Sequence, residues 1–235
     1  MPLCSTKVPR DAVHHPLFAR FYAKLSVTAD LKGGIAAYRA ELLDGLSGRV
    51  IEIGAGNGLN FRHYPRAVSE VVALEPERTL RKLAVEAALH ADVPVDVVPG
   101  AAEALPVKNE GFDAAVASLV LCTVRDLPRA LSEIRRVLRP GGELRFFEHQ
   151  LAEGRGLART QRALDRTVWP RLFGGCHTAR DTVAAIEAAG FELGEYRRFR
   201  VPDGGLQLPT SPCVLGVARR PHDEDRRGAG QDPTR

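Results

Sequence analysis

The sequence lacks the features that mark membrane-spanning, exported or zinc-binding proteins. Its longest nearly unbroken apolar run, residues 114–124, is far shorter than the roughly 18 residues needed to cross a bilayer. The N-terminal segment has no apolar core of the kind found in signal peptides. The 4 cysteines form no CxxC pair and have no histidine at a spacing suited to zinc. We therefore expect a cytoplasmic protein with reduced thiols, no metal ion and no membrane contact.

The sequence also lacks a strong excess of positive or negative charge. The chain has 33 Lys and Arg against 29 Asp and Glu, a net charge of +4 spread along its 235 residues. A diffuse surplus of arginine is more typical of a solvated surface than of a nucleic-acid-binding face. We expect no nucleic-acid partner and a single domain with additional arms, as a monomer or a homodimer.

Apolar strands alternate with amphipathic helices through the middle of the chain. The pattern predicts strands at 49–54 and 70–75 and then a helix at 77–91, whose leucines and alanines share one face. A second helix begins after Asp126, which can cap it, and residues 140–142 (Pro-Gly-Gly) are expected to end it. Such alternation predicts a parallel sheet covered by helices on both faces. We expect a doubly wound, seven-stranded, Rossmann-like α/β fold.

The two ends of the chain depart from this alternation. Helical patterns at 15–26 and 35–46 precede the first strand, and a short helix at 179–189 follows the strand at 143–149. The last two strand patterns, within 191–219, are joined by a loop of about ten residues, which predicts a hairpin and an antiparallel last strand. We divide the chain into an N-terminal arm with lid helices (1–47), a main domain (48–219) and a disordered tail (220–235).

The segment VIEIGAGNG, residues 50–58, points to a ligand. Its glycines have the spacing Gly54-x-Gly56-x-Gly58, and Leu59 stands where the dinucleotide fingerprint G-x-G-x-x-G requires its third glycine. Glu75, at the end of the second strand, can accept hydrogen bonds from both hydroxyls of a ribose. The pattern therefore indicates an adenosine ligand without a diphosphate. A tight turn without any ligand is the alternative.

The motifs together resemble the class I S-adenosylmethionine-dependent methyltransferases. VIEIGAGNG is similar to the first motif of that family, VVALEPE to its acidic loop, and FDAAVASLVLCTV and RVLRPGGELRFFEH to its fourth and fifth strands. The resemblance covers residues 48–219. Within the family, SLVLCTV, FFEH and LDRTVWPRLFGGCHTARD resemble the methyltransferase-like 7 thiol S-methyltransferases and their bacterial relatives. This resemblance implies S-adenosylmethionine as cofactor and a small-molecule thiol, hydroxyl or amine as methyl acceptor.

The resemblance also implies which residues bind the cofactor. Gly54 and Gly56 are expected beneath its methionine part and Glu75 at the ribose. VPGAAEALPV resembles the family's third motif but lacks its usual Asp, so backbone groups near Ala101 and Ala102 are expected at the adenine. The full expected set is Glu52, Gly54, Ala55, Gly56, Asn57, Asn60, Glu75, Pro76, Ala101, Ala102, Ser118 and Leu119. SLVLCTV does not resemble the Asp/Asn-Pro-Pro-Tyr motif of enzymes that methylate nucleic-acid bases.

The acceptor pocket is expected to draw on segments outside these motifs. Its candidate residues are Tyr22, Cys122, Glu148, His149, Cys176 and His177. His149 follows the fifth strand and is the candidate general base, although a structural Glu148–His149 pair is an alternative. Cys122 and Cys176 also fit packed thiols, and Tyr22 fits either a lid helix or plain core packing. Two other functions stay open at this point: a nicotinamide-dependent oxidoreductase and a non-catalytic S-adenosylmethionine-binding protein.

Overall fold

The computed structural model describes residues 16–202 and 208–222; the N-terminal arm up to residue 15 and the tail beyond residue 222 lie outside them. The strands are β1 Gly48–Ile53, β2 Val68–Leu74, β3 Val95–Val98, β4 Phe112–Ser118, β5 Leu138–His149, β6 Glu192–Arg200 and β7 Pro212–Arg219. The helices are α1 Pro16–Lys32, α2 Ile35–Leu43, α3 Arg78–Ala88, α4 Leu127–Val137, α5 Arg155–Asp165, α6 Trp169–Leu172 and α7 Thr182–Ala188. Among these described elements, none is a helix both long and apolar enough to cross a membrane.

The strands form one 7-stranded sheet in the order β3-β2-β1-β4-β5-β7-β6. Strands β1 to β5 pair in parallel, and β7 runs antiparallel to both β5 and β6. The predicted doubly wound fold with an antiparallel last strand is therefore confirmed. Because the chain returns from the β3 edge to place β4 beside β1, the direction of winding reverses between β1 and β4. In open α/β sheets, ligands bind at such a reversal, beyond the carboxyl ends of the strands.

The core lies in two layers, one on each face of the sheet. Alternate residues of a strand face opposite layers. On β1, Ile51 and Ile53 pack in the layer that contains α4 and α7, whereas Val50 packs in the layer that contains α2 and α3. Since both faces of the central strands are covered by helices, their near-continuous apolar sequence is explained.

The N-terminal helices differ in length from the sequence-based expectation. Helix α1 continues past residue 26 to Lys32, and the hydroxyls of Ser26 and Thr28 donate to backbone carbonyls of the preceding turn, so both polar residues are accommodated inside the helix. Helix α2 ends at Leu43 rather than at residue 46, because Gly45 adopts a left-handed φ of 72°. With these bounds, α1 and α2 pack against the main domain.

The prediction that residues 140–142 end α4 is wrong. The helix ends at Val137, and Leu138 already has extended backbone (φ −71°, ψ 144°) and pairs with Phe112 of β4. The Pro-Gly-Gly segment therefore belongs to the irregular start of β5, where the register of the β4–β5 pair shifts. Pro140 is tolerated there because a strand with a bulge does not require its N–H.

Capping side chains start α4 and α7. The Asp126 carboxylate accepts a hydrogen bond from the Arg129 N–H at 3.1 Å, which confirms the predicted cap of α4. Asp181 accepts from the Ala184 N–H at 3.2 Å and starts α7, somewhat later than predicted. Helices α5 and α6 were not predicted from the sequence, and their segment contributes to the site described next.

Candidate active site

Many of the predicted site residues lie at or just beyond the carboxyl ends of the parallel strands. Ile53, the last residue of β1, is paired with Leu74 of β2 on one side and Ala117 of β4 on the other. Ser118, at the end of β4, is paired with Phe147 of β5. The glycine loop, Glu75, the turn after β4 and His149 are therefore brought to one edge of the sheet, at the reversal of winding.

The three glycines of the loop after β1 differ in what surrounds them. A Cβ atom on Gly54 would come within 2.3 Å of a Val120 methyl, and one on Gly58 within 2.7 Å of a side-chain carbon, so both are required by packing. A Cβ on Gly56 would meet only a ring carbon of Tyr22, at 3.9 Å. Open space therefore lies above the backbone at Gly56, whose φ is 58°.

Glu75 fastens the glycine loop to β2. One of its carboxylate oxygens accepts from the Gly56 N–H and the other from the Glu77 N–H, both at 2.8 Å. The side chain is buried, and this desolvation raises the pKa of Glu75 to about 7 against the opposing effect of the two backbone hydrogen bonds. Each oxygen keeps a lone pair for a further donor.

A buried arginine of α2 connects the helices to the ends of β1 and β4. The Arg39 guanidinium donates to Asp30 at 2.9 Å, to Asn60 at 2.8 Å and to the Ser118 hydroxyl at 3.1 Å. Asn60 in turn donates to Glu52 at 2.9 Å. Three of the residues predicted to bind cofactor thus form a network with a residue that sequence reasoning missed. Its only signal in the sequence was an arginine among mostly apolar residues of α2.

Glu52 is the acidic end of this network. Its second carboxylate oxygen accepts from the Tyr64 hydroxyl at 2.7 Å. Burial raises the pKa of Glu52 to about 7, although the hydrogen bonds from Tyr64 and Asn60 and the nearby Arg39 oppose the shift. The carboxylate is only 2% exposed, so it supports the loop from beneath.

The remaining predicted cofactor residues line the same edge. Asn57 contacts α1 through Ser26, 3.4 Å from its Oδ1, and Ala55 donates its N–H to Leu74 at 2.9 Å. Ala101 forms an isolated bridge with Ala104, and beside it lies the buried Ala102. The Pro76 carbonyl accepts from Arg81 at 3.0 Å.

The backbone is strained where β4 ends. Leu119 has a φ of 56°, in the left-handed region that costs a non-glycine residue about 1–2 kcal/mol. The strained conformation is held by a hydrogen bond from the Leu119 N–H to the Phe147 carbonyl at 2.7 Å. Residues held in this way concentrate at functional sites, where the surrounding structure compensates for the strain.

Three side chains from distant segments meet beyond this turn. The sulfur atoms of Cys122 and Cys176 and a ring nitrogen of His149 all lie within 4.8 Å of one another, and Cys176 Sγ is 3.6 Å from His149 Nδ1. Both cysteines are buried and reduced. The hydrogen bonds from Cys122 and His149 lower the pKa of Cys176 to about 5 despite its burial. The contact with Cys176 and the charge of Glu148 raise the pKa of His149, although burial opposes the shift.

Glu148 shapes the turn that carries Cys122. One of its oxygens accepts from the N–H groups of Val120 and Leu121, each at 2.9 Å, and the other accepts from the Cys122 N–H at 3.2 Å. Burial raises the pKa of Glu148 against these three hydrogen bonds. The carboxylate is fully buried and directed at backbone groups.

The loop that carries Cys176 is tied to the same turn. The His177 N–H donates to the Cys122 carbonyl at 2.8 Å, and Arg180 donates to the carbonyl of Leu121 at 2.5 Å. The His177 imidazole itself lies beside Asp165 of α5, with 3.7 Å between Nδ1 and Oδ2. The structure therefore brings Cys122, His149 and Cys176 together and places the His177 ring next to α5.

Tyr22 of α1 lies between the glycine loop and the cysteines. Burial raises the pKa of its hydroxyl to about 12; smaller effects come from the charges of Arg39, Cys122, Glu75 and Cys176. One turn earlier in α1, the Phe18 ring would be only 2.4 Å from a Cβ on Gly174 of the loop after α6. Helix α1 therefore covers both parts of the site, while Phe21 on its outer side is 58% exposed.

Residues 51–146 match the family model described as "Methyltransferase domain". The chain is 32% identical over 223 residues to thiol S-methyltransferase TMT1B of Mus musculus, which covers 92% of this chain and 87% of that protein. It is also 32% identical over 222 residues to the ubiquinone/menaquinone biosynthesis C-methyltransferase UbiE of Syntrophotalea carbinolica, covering 84% and 92% of the two chains.

A solved structure shows the same fold. An S-adenosylmethionine-dependent methyltransferase from Thermotoga maritima superposes with a TM-score of 0.60 at 23% identity, covering 87% of this chain and 98% of that one.

Proposed function

The chain belongs to the class I S-adenosylmethionine-dependent methyltransferases, and on that premise we propose that its acceptor is a small-molecule thiol. Methyl transfer to a small molecule, with S-adenosylmethionine as donor, follows from the family. The nicotinamide-dependent and non-catalytic alternatives have no support. The identification of the acceptor as a thiol is the more specific part of the proposal. It is supported by similarity to thiol S-methyltransferase TMT1B and by the groups around His149.

The residues present fit the methyl donor. The open backbone at Gly56 and the buried carboxylate of Glu75 stand next to each other, joined by a hydrogen bond of 2.8 Å. We assign the loop from Gly54 to Asn57 to the methionine part and Glu75 to the ribose. Pro76, Ala101 and Ala102 are assigned to the adenine edge, and Ser118 and Leu119 to the surroundings of the methyl group. Glu52 and Asn60 hold the loop in place through Arg39.

The observation that carries the thiol assignment is the position of His149. Its Nδ1 is 3.6 Å from the sulfur of Cys176, so the imidazole is already in contact with a thiol sulfur that the protein supplies. A free thiol has a pKa of about 8.5, close enough to that of an imidazole for proton transfer, whereas an alcohol is far less acidic.

The cofactor supplies an electrophilic methyl group on its sulfonium sulfur. The chain has to exclude water and hold the acceptor sulfur in line with that methyl, which can supply about 7–11 kcal/mol of the barrier. Helix α1 covers the site through Tyr22, and Cys122 and Cys176 form the wall opposite. In this assignment His149 takes the proton of the entering thiol, and helices α1 and α2 act as the lid of the domain at 48–219.

A methyl-acceptor screen tests the proposal. Purified protein is incubated with methyl-labelled donor and matched sets of small thiols, phenols, amines and a demethylated quinol. We expect label to transfer to sulfur, with the alkyl or aryl thiols as the best substrates. Transfer to a quinol carbon without any thiol product would contradict the thiol assignment and favour the chemistry of the UbiE relative.

Cytoplasmic location and a monomeric or dimeric state remain predictions.

A further inference from the structure

We propose that Cys122, His149 and Cys176 bind one zinc ion, with a fourth coordination position open to the acceptor thiol. The metal site itself is independent of the function proposed above. Only its role in activating the acceptor rests on that function. The sequence-based expectation was that the chain holds no metal, because no two of these ligands lie close together in the sequence.

The distances fit a tetrahedral site. With Zn–S of about 2.3 Å and Zn–N of about 2.05 Å, a sulfur and a nitrogen ligand lie about 3.6 Å apart and two sulfurs about 3.8 Å apart. The observed separation of Cys176 Sγ and His149 Nδ1 is 3.6 Å, and no pair of ligand atoms in the trio exceeds 4.8 Å. Bringing the two most distant ligand atoms to tetrahedral spacing requires a movement of at most about 1 Å, which a small side-chain rotation supplies.

The donor set is suited to zinc. Two thiolates and an imidazole are the ligands that zinc prefers, and three protein ligands with one open position are typical of catalytic rather than structural zinc. Two buried thiolates without a counter-charge would carry a large desolvation cost, but a Zn²⁺ ion neutralises both.

The three ligands are held in place by the protein itself. The Glu148 carboxylate fixes the backbone of Cys122, and the Cys122 carbonyl accepts the N–H of His177, next to Cys176. His149 ends a central strand that is paired on both sides. A site preorganised by hydrogen bonds to its ligands' backbone loses little entropy on binding an ion.

The site faces the place of methyl transfer. Cys122 lies in the turn after β4 and His149 ends the adjacent strand β5, and the Tyr22 hydroxyl is within electrostatic range of both cysteines and of Glu75. An entering thiol would coordinate the ion as a thiolate and release its proton to water. Its sulfur then forms a bond to the methyl carbon as the sulfonium carbon–sulfur bond breaks, giving the thioether and S-adenosylhomocysteine. With the ion bound, His149 acts as a ligand and the metal replaces it as the activating group.

Metal analysis of the full-length protein tests the site. The chain is purified under reducing conditions without chelators, and bound metals are measured by elemental analysis. We expect one equivalent of zinc per chain, lost in Cys122→Ser and in Cys176→Ser. Cys213→Ser is the matched control, because Cys213 is also a buried free thiol but stands outside the trio. It should keep the zinc.

Cobalt substitution of the wild-type protein gives a second measurement that does not depend on how well the variants fold. We expect visible bands of tetrahedral cobalt and near-ultraviolet thiolate-to-cobalt charge transfer, both shifted when a substrate thiol is added. Metal-free protein that binds no cobalt and still methylates thiols would overturn the zinc site and leave the proposed function standing. Stoichiometric zinc in a protein that methylates only non-thiol acceptors would instead refute the proposed function and the metal's role in activating the acceptor.

Discussion

The donor side and the acceptor side of the site are built in different ways. The donor side consists of the glycine loop and Glu75, which follow two neighbouring strands and are joined by one hydrogen bond. The acceptor side takes Cys122, His149 and Cys176 from the turn after β4, the end of β5 and the loop after α6. One side is a local motif, and the other exists only once the chain has folded.

This difference separates what is common to the family from what is particular to the chain. The cofactor is the same for every member, so a fixed loop geometry is sufficient to bind it. The acceptor varies, and its pocket is assembled from segments that different members can change independently. If the two sides are independent in this way, substitutions on one side should leave the function of the other intact. The following predictions test that independence, from the largest expected effect to the smallest.

Replacement of His149 should have the largest effect. We expect His149→Gln to lower kcat by about 10²–10⁴-fold whether the imidazole acts as a base or as a ligand. Donor affinity measured by calorimetry should not change, because the glycine loop and Glu75 are untouched. His90→Gln is the matched control, since His90 is exposed in the turn that follows α3. Loss of donor binding in His149→Gln would show that the two sides are coupled.

The same comparison explains how much of the molecule the sequence could predict. The sheet, its antiparallel last strand and the donor loop follow from local patterns: apolar runs, a glycine spacing and a strand-end acid. The Cys122–His149–Cys176 cluster has no such pattern, because its members are 27 residues apart along the chain. Arg39 was missed for the same reason, since its partners Asn60 and Ser118 are distant in sequence. Long-range contacts of this kind are set by packing and not by periodicity.

Removal of Arg39 should destabilise the donor side. Its guanidinium is buried against Asp30, Asn60 and Ser118, and its removal leaves Asn60 and Ser118 without this donor and Asp30 with only the half-exposed Arg62 as a charge partner. We expect Arg39→Met to lower the free energy of unfolding by about 3–5 kcal/mol in denaturant titrations. Arg197→Met, which removes an exposed pair with Glu41, should cost about 1 kcal/mol or less. Equal losses in the two variants would mean that the Arg39 network does not support the fold.

Glu52 should make stability depend on pH. Burial raises its pKa to about 7 in the folded protein, while an unfolded carboxyl titrates near 4.3. Between these values the folded state binds more protons than the unfolded state, so stability falls as pH rises from about 4.3 to 7 and is constant above. The change is on the order of 3 kcal/mol. Burial raises the pKa of Glu75 and Glu148 as well, so Glu52→Gln should remove only part of this slope in melting temperature. An unchanged slope would contradict the assignment to Glu52.

Glu75 gives the smallest effect and the sharpest test of the donor side. Glu75→Gln keeps the shape of the side chain but loses its charge and one of the two oxygens that accept from Gly56 and Glu77. We expect the affinity for S-adenosylmethionine to fall by about 1–3 kcal/mol. Glu70→Gln is the matched control on the same strand, because Glu70 pairs with Arg49 and is partly exposed. The Glu70→Gln variant should bind S-adenosylmethionine with the affinity of the wild type.

The two sides are distinguished by comparing kcat with affinity in Glu75→Gln. If Glu75 holds only the ribose and the loop, kcat at saturating donor should stay near the wild-type value, because the acceptor groups at Cys122, His149 and Cys176 are unaltered. A large fall in kcat at saturation would mean that the loop also sets the position of the methyl group. Tyr22 of α1 would then transmit the change, because it approaches Gly56 on one side and the cysteines on the other. The outcome therefore decides whether α1 is a passive cover or a link between donor and acceptor.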